Sequence, residues 1–141
     1  MTNGSQRADP AESRGALAVR QAVEAYKAGD YAGFLSRYAD DAVYRVAGTA
    51  NVIGGVYRGM AEIEAFFVRL GEVTGGTFDL DIVDVLGSYR RAVMIFHARA
   101  SRDGRTLDDT GTMAFRLNDE GKFAESWLMY SDQAAYDEFF S

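Results

Sequence analysis

The chain has 141 residues, enough for one domain with a hydrophobic core, and a formal net charge of −6. That charge argues against a nucleic-acid partner, because Lys and Arg supply most of the affinity for phosphates. The absence of cysteine and the single histidine, His97, exclude thiol catalysis, disulfides and multi-histidine metal sites. No apolar run approaches the roughly 20 residues of a membrane span. Residues 1–8 are polar and lack an apolar signal region, so a cytoplasmic protein without a membrane partner is expected.

The first half of the chain predicts three helices and one strand. We expect residues 1–8 to be a disordered tail and residues 9–141 to form one domain. A first helix is predicted to start with Asp9 as its cap and Pro10 at its first position, and to end near Gly29. Asp30 then caps a short second helix. That helix is predicted to carry Tyr31, Phe34, Leu35 and Tyr38. A strand over residues 42–46, a Gly-rich loop over 47–59 and a third helix over 60–70 follow.

The second half predicts strands that are joined by tight turns. Three or four strands follow residues 71–76, and a last short helix covers 133–140. The clearest pair is residues 111–117 and 123–130, because the intervening Asn-Asp-Glu-Gly-Lys has the composition of a hairpin turn. Helices that are segregated from a run of antiparallel strands indicate an α+β fold, with a curved sheet packed against helices. Such a cone encloses a pocket between the helices and the sheet.

Four short motifs in this order add a resemblance to a known family. They are Ala-Gly-Asp at 28–30, Tyr-Ala-Asp-Asp-Ala at 38–42, Tyr-Arg-Gly at 57–59, and Gly-Lys with Glu-Ser-Trp at 121–127. Over about residues 14–140 the chain resembles the nuclear-transport-factor-2-like superfamily. Within it, the chain is similar to the SnoaL-like group, which includes polyketide cyclases, ketosteroid isomerases and limonene epoxide hydrolases. The resemblance implies a cone-shaped domain that commonly forms a homodimer through the outer face of its sheet.

The catalytic positions that the resemblance implies are apolar in this chain. The general base and oxyanion-hole positions of ketosteroid isomerases correspond to Val46, Ala22 and Met113. The Asp-Arg-Asp set of limonene epoxide hydrolases corresponds to Met94, Phe96 and Met129. General acid–base catalysis needs a titratable group within hydrogen-bond reach of the substrate. The usual chemistry of both relatives is therefore not expected here.

Alternating residues on the last strands predict an apolar pocket lining. Met94 and Phe96 share one strand face, Met113 and Phe115 share the next, and Trp127 and Met129 are placed beside them. Val46 is assigned to the same lining. Five tyrosines, Tyr57 among them, are predicted to lie on elements that surround the cavity. Four of them are assigned to the lining, where they would offer hydroxyls to a ligand: Tyr26, Tyr38, Tyr44 and Tyr130. This composition suits a polyketide, steroid or terpenoid-like ligand, and the alternative is a filled core.

Two residues are candidates for moving a proton. Asp109 shares a strand face with Met113, and its alternative role is that of a solvated carboxylate at a strand start. His97 alternates with the lining and so faces the outer side of the sheet, where a structural or interface role competes with that of a base. The expected function is binding of a small hydrophobic molecule, with a cofactor-free and metal-free isomerase or cyclase reaction if the pocket is catalytic. The alternative is a non-catalytic ligand-binding or dimerisation module of the same fold.

Overall fold

The computed structural model describes residues 12–48 and 51–141. Its helices are α1 (Arg14–Lys27), α2 (Tyr31–Leu35), α3 (Gly59–Val73) and α4 (Gln133–Phe139). Its strands are β1 (Tyr38–Val46), β2 (Gly55–Arg58), β3 (Asp79–Gly87), β4 (Arg91–Arg102), β5 (Arg105–Leu117) and β6 (Phe123–Tyr130). None of the helices within these described ranges is long and apolar enough to cross a membrane.

The strands form one curved, open sheet in the order β2-β1-β6-β5-β4-β3. Neighbouring strands are antiparallel except β1 and β6, which run parallel. Along β4 and β5 buried and exposed residues alternate, which is the pattern of a sheet with one face against a core. The helices cover that buried face. The predicted α+β class is therefore confirmed, with one parallel strand pair inside a mainly antiparallel sheet.

The β5–β6 hairpin forms where its turn chemistry predicts it. The Asn118 side chain accepts hydrogen bonds from the backbone N–H groups of Glu120 and Lys122, each at 3.0 Å. Gly121 has a φ of 81°, a left-handed conformation that glycine adopts without steric cost. The turn is thus specified by two residue types that act locally.

Three element boundaries differ from the prediction. The cap of α1 is Ser13, whose hydroxyl accepts from the Ala16 N–H at 3.1 Å, while Asp9, Pro10 and the tail lie outside the described residues. Tyr38 begins β1 instead of ending α2, so this strand starts four residues earlier than predicted. Residues 55–58, predicted as loop, pair with β1 as the edge strand β2. Four residues without clean alternation carry too weak a pattern to identify an edge strand from sequence.

Candidate functional site

A cavity of about 60 Å³ lies between the inner face of the sheet and the four helices. Among the described residues, its lining contains only apolar and aromatic side chains, with no carboxylate, amine, guanidinium or imidazole. The polar atoms that these side chains contribute are five phenol hydroxyls. They belong to Tyr26, Tyr38, Tyr44, Tyr130 and Tyr136.

The structure brings together most of the residues that the sequence predicted for the lining. Eight of them surround the cavity: Tyr26, Tyr38, Tyr44, Met94, Phe96, Met113, Phe115 and Tyr130. Ala22, which the resemblance matched to an oxyanion-hole position, also lines it. On β4 and β5, strand alternation was sufficient to identify the residues that face the cavity. The reason is that the two strands pair in continuous register from Arg91–Arg116 to Arg102–Arg105.

Three predicted lining residues lie elsewhere. Trp127 and Met129 are on the outer sheet face, where the Arg45 guanidinium lies 5.0 Å from the Trp127 ring centroid and Met129 is 50% exposed. A register shift between Arg116 and Leu117 marks a bulge in the β5–β6 pair, and the bulge reverses the alternation along β6. Ser126, Leu128 and Tyr130 therefore face inward in place of Trp127 and Met129. Val46 is buried in the core but does not reach the cavity.

Several lining residues come from elements that the sequence analysis did not assign to the site. Tyr136 and Phe140, four residues apart at the end of the chain, cover the cavity from α4. Their spacing is the helical signal that could have identified them. Other members come from α2, α3, β3 and the loop before β2. These include Phe34, Phe66, Phe67, Phe78, Leu80 and Ile53.

The loop that carries Ile53 is held by α4. The Asn51 side-chain oxygen accepts from the backbone N–H groups of Ile53 and Gly54, at 3.0 and 2.6 Å. Its amide nitrogen donates to Asp137 of α4 at 2.5 Å. The Val52 N–H donates to the Phe140 carbonyl at 3.0 Å. One asparagine thus couples the loop to the helix and fixes two sides of the cavity together.

A groove of about 510 Å³ lies outside the cavity, between α1, α2 and α3. Four aromatic residues line both spaces: Tyr26, Phe34, Phe67 and Phe78. The Phe34 and Phe67 rings meet edge to face at 4.8 Å, and the Tyr26 and Phe34 rings at 5.2 Å. We call these four side chains the aromatic partition, because they separate the cavity from the groove.

Burial sets the protonation state of the cavity tyrosines. Burial is the largest cause in every case, and it raises the pKa of Tyr26 to about 12. It also raises the pKa values of Tyr38, Tyr44, Tyr130 and Tyr136. A buried phenol resists ionisation because the phenolate would lose its hydration. At neutral pH these groups are hydrogen-bond donors and not bases.

The two proton-transfer candidates lie outside the cavity lining. The Asp109 carboxylate accepts from the backbone N–H groups of Thr110 at 2.8 Å and Asp132 at 2.9 Å, so it connects β5 to the start of α4. His97 lies on the outer sheet face with its Nε2 atom 2.5 Å from the Asp108 carboxylate. Neither side chain reaches the cavity lining. Within the described ranges, no group of three His, Asp or Glu residues is arranged to hold a metal ion.

Gly111 makes room for one wall of the cavity. It pairs with Phe96 across β4 and β5, and a Cβ atom at residue 111 would lie 2.4 Å from Cζ of the Phe96 ring. We expect Gly111→Ala to push this ring into the cavity and to lower the free energy of unfolding by about 1–3 kcal/mol, the usual cost of overpacking. Urea unfolding measures the loss. In a chain that already carries Phe96→Leu, the further change Gly111→Ala should cost less stability than it costs in the wild type. Equal losses in the two chains would show that the contact with the Phe96 ring is not the cause.

Comparison with known proteins places this architecture in a family. The model of the SnoaL-like domain matches residues 19–126. The structure of Bal32a, from a soil-derived mobile gene cassette, is similar with a TM-score of 0.85 and 29% identity, over 91% of this chain and 97% of that one. TerC co-crystallised with polyporic acid is similar with a TM-score of 0.79 and 21% identity, over 91% and 98% of the two chains. RV0760c from Mycobacterium tuberculosis, in complex with estradiol-17β-hemisuccinate, has a TM-score of 0.70 and 20% identity, over 85% and 95%.

A search of curated proteins found no match. The domain match covers well over half of the chain, and the curved sheet with its helices agrees with the fold of the similar structures. The resemblance inferred from the short motifs is thereby confirmed. The chain shares its fold with an NTF2-like protein from Burkholderia pseudomallei that is 20% identical, and it belongs to the SnoaL-like domain family.

Proposed function

We propose that the protein binds a small, flat, hydrophobic molecule in the cavity and does not transfer protons to or from it. The observation that carries this proposal is the lining, which is apolar except for tyrosine hydroxyls. Cavities with apolar walls and a few polar groups are typical sites for such ligands. An acid or base has to lie within hydrogen-bond reach of the substrate, and Asp109 and His97 both lie outside the lining.

The size of the cavity indicates how a ligand enters. A space of about 60 Å³ holds roughly four water molecules at 10–15 Å³ each, whereas a cavity of about 150 Å³ is known to hold benzene. A polycyclic ligand therefore needs the groove as well as the cavity. Tyr26, Phe67 and Phe78 of the aromatic partition are only half-buried, so they can rotate without leaving a packed core. Their rotation joins the two spaces into one site.

The similar structures support the ligand class. TerC was crystallised with polyporic acid and RV0760c with a steroid ester, and both share this fold. We infer a polyketide, steroid or terpenoid-like ligand for this chain on the same grounds.

A cofactor-free isomerase or cyclase is the second candidate, and one observation favours it. The Asp109 charge raises the pKa of Tyr130, after the larger effect of burial, so this carboxylate lies near a cavity phenol. Tyr130 would then pass a proton between the ligand and Asp109. Incubation of the recovered ligand with protein tests this role. Conversion that is lost in Tyr130→Phe and Asp109→Asn would favour catalysis, and an unchanged ligand would favour binding alone.

The binding proposal is tested by native mass spectrometry on protein purified gently from its own host. A small hydrophobic adduct is expected on the wild-type chain. Ala22→Leu on α1 fills the cavity and should remove the adduct, because Ala22 is 4% exposed and part of the lining. Leu17→Phe on the same helix is the matched control, since Leu17 is 45% exposed and outside the lining. An adduct that survives Ala22→Leu in a folded protein would place the ligand elsewhere.

We also propose that a second copy of the chain covers the outer sheet face. Val93, Ile95 and Met129 are 38%, 36% and 50% exposed there, and cross-strand pairing through β5 places them beside Trp127. The surrounding surface carries both charge signs, which a two-fold axis can pair. Sedimentation should show a dimer in the wild type and a monomer in Ile95→Lys. Val83→Lys is the control and should leave the dimer intact, because Val83 is a 63% exposed residue of β3 outside this patch. A wild-type monomer at all concentrations would overturn this proposal.

A further inference from the structure

The Tyr136 hydroxyl is a buried donor that has no hydrogen-bond partner among the described residues. The residue is 1% exposed, and its hydroxyl makes no hydrogen bond to any described residue. Burying a hydroxyl without a partner costs free energy, so such groups are rare in folded proteins and each requires an explanation. Tyr136 lines the cavity, so this hydroxyl belongs to a residue of the proposed binding site.

The Tyr136 ring is held rigidly in this position. It stacks on Tyr130 with centroids 4.1 Å apart and an interplanar angle of 19°, and it meets Phe140 edge to face at 4.9 Å. The helix that carries it is fixed at both ends. Asp132 caps its start by accepting from the Ala135 N–H at 3.0 Å. At the other end, guanidinium groups donate to the last carbonyls, including Arg102 to Ser141 at 2.7 Å. The hydroxyl therefore cannot turn toward solvent.

A second phenol of the cavity also has donor capacity left. The Tyr44 hydroxyl has one polar contact among the described residues, the Met113 sulfur at 4.0 Å, which is a weak acceptor. Burial is the largest cause of the raised pKa of Tyr44, and the phenols of Tyr38, Tyr136 and Tyr130 add to it because they lie near its hydroxyl. Several phenols therefore lie near one another in a lining that is otherwise apolar.

The same lining opposes a charged ligand. Taking an ion out of water costs several kcal/mol unless an opposite charge or several hydrogen bonds replace its hydration. The described cavity lining offers no cation and no anion, and the charged residues Lys27 and Glu64 line only the groove, away from α4. A neutral acceptor oxygen needs one donor and little else, and a phenol hydroxyl supplies it.

We propose that Tyr136 selects the ligand by donating a hydrogen bond to an uncharged carbonyl oxygen at the α4 end of the cavity. This inference rests on the proposed binding function and adds the chemical class of the ligand: a neutral, mainly apolar ring system with a carbonyl group. Tyr136 would thus determine the specificity of the site for ligands that carry a carbonyl group. Neither the family match nor the sequence analysis assigns it a role.

The test uses three bicyclic probes that differ in one group: tetralin, 1-tetralone, and the anionic 1,2,3,4-tetrahydro-1-naphthoate. Calorimetry with the full-length chain should show that 1-tetralone binds more tightly than tetralin and that the anion binds weakest. Tyr136→Phe should weaken 1-tetralone binding by about three- to tenfold, the usual net value of one hydrogen bond, and leave tetralin binding unchanged. Tyr89→Phe, on a 61% exposed residue outside both spaces, is the matched control.

Each other outcome overturns the inference in a distinguishable way. Equal weakening of both neutral probes would mean that Tyr136 contributes packing only. No change in either would mean that its hydroxyl does not meet the ligand. A melting temperature that falls in Tyr136→Phe would indicate a buried water as the partner, because removing an unpartnered hydroxyl should leave the melting temperature equal or higher. Failure of all three probes to bind would overturn the binding function as well.

Discussion

Above pH 10 the protein is expected to unfold cooperatively, with a midpoint between about pH 11 and 13. Four tyrosines that are almost fully buried have pKa values raised above the ordinary value of 10.0, chiefly by burial. They are Tyr38, Tyr44, Tyr130 and Tyr136. In the unfolded chain these phenols ionise near pH 10, whereas in the folded chain they keep their protons to higher pH. The stabilisation is therefore fully present below pH 10 and is lost as the pH rises.

The expected midpoint follows from the number of phenols. Each tyrosine lowers the free energy of unfolding by about 1.4 kcal/mol per pH unit between its unfolded and folded pKa. Four of them lower it by roughly 5–6 kcal/mol per unit. A domain of this size is stable by about 5–15 kcal/mol, so about one to three pH units remove that stability.

Two signals followed together measure this transition. Tyrosinate absorbance near about 295 nm reports ionisation, and near-ultraviolet circular dichroism reports packing of the aromatic rings. Both should change in one step, because the buried phenols ionise only when the cavity opens. Tyr44→Phe removes one ionising group and should reduce the stability lost between pH 10 and 11 by about 1 kcal/mol. Stepwise ionisation with the dichroism retained would show that the cavity admits water while folded.

The sequence identified elements whose determinants are local. The β5–β6 hairpin is specified by Asn118 and Gly121 within five residues, and the lining from β4 and β5 follows from strand alternation. Trp127 and Met129 were assigned to the wrong face because alternation cannot reveal a bulge, which arises from pairing between strands. The sheet order and the parallel β1–β6 pair also depend on contacts distant in sequence.

The part of the site that sequence reasoning missed depends on tertiary packing. The last helix was predicted, and Tyr136 and Phe140 have helical spacing, but nothing local shows that α4 lies over the cavity. That placement results from Asn51, Arg102 and Arg105, which contact the helix from three other segments. The donor proposed to recognise the ligand thus comes from the element whose position is least evident in the sequence.

Phe66→Ala is expected to lower the free energy of unfolding by about 3–5 kcal/mol and to enlarge the cavity. Phe66 is 2% exposed, and its ring centroid lies 5.1 Å from that of Tyr44, 4.9 Å from Tyr57 and 4.9 Å from Phe67. Truncation loses both the transfer free energy of the ring and its contacts with three aromatic neighbours. Urea unfolding measures the loss, and Phe66→Leu, which keeps most of the apolar volume, should lose considerably less.

The enlarged cavity should also make Phe66→Ala more responsive to an apolar ligand, which would stabilise the variant that truncation has destabilised. An apolar molecule that binds only the folded chain raises the apparent stability, and the rise grows with its concentration. Benzene at saturating concentration should therefore raise the melting temperature of Phe66→Ala more than that of the wild type, whose cavity is smaller than those known to hold benzene. An equal rise in both proteins would mean that the neighbouring rings collapse into the space left by Phe66. Cavity volume would then be set by the mobility of the aromatic residues, and ligand size would be limited by how far the aromatic partition opens.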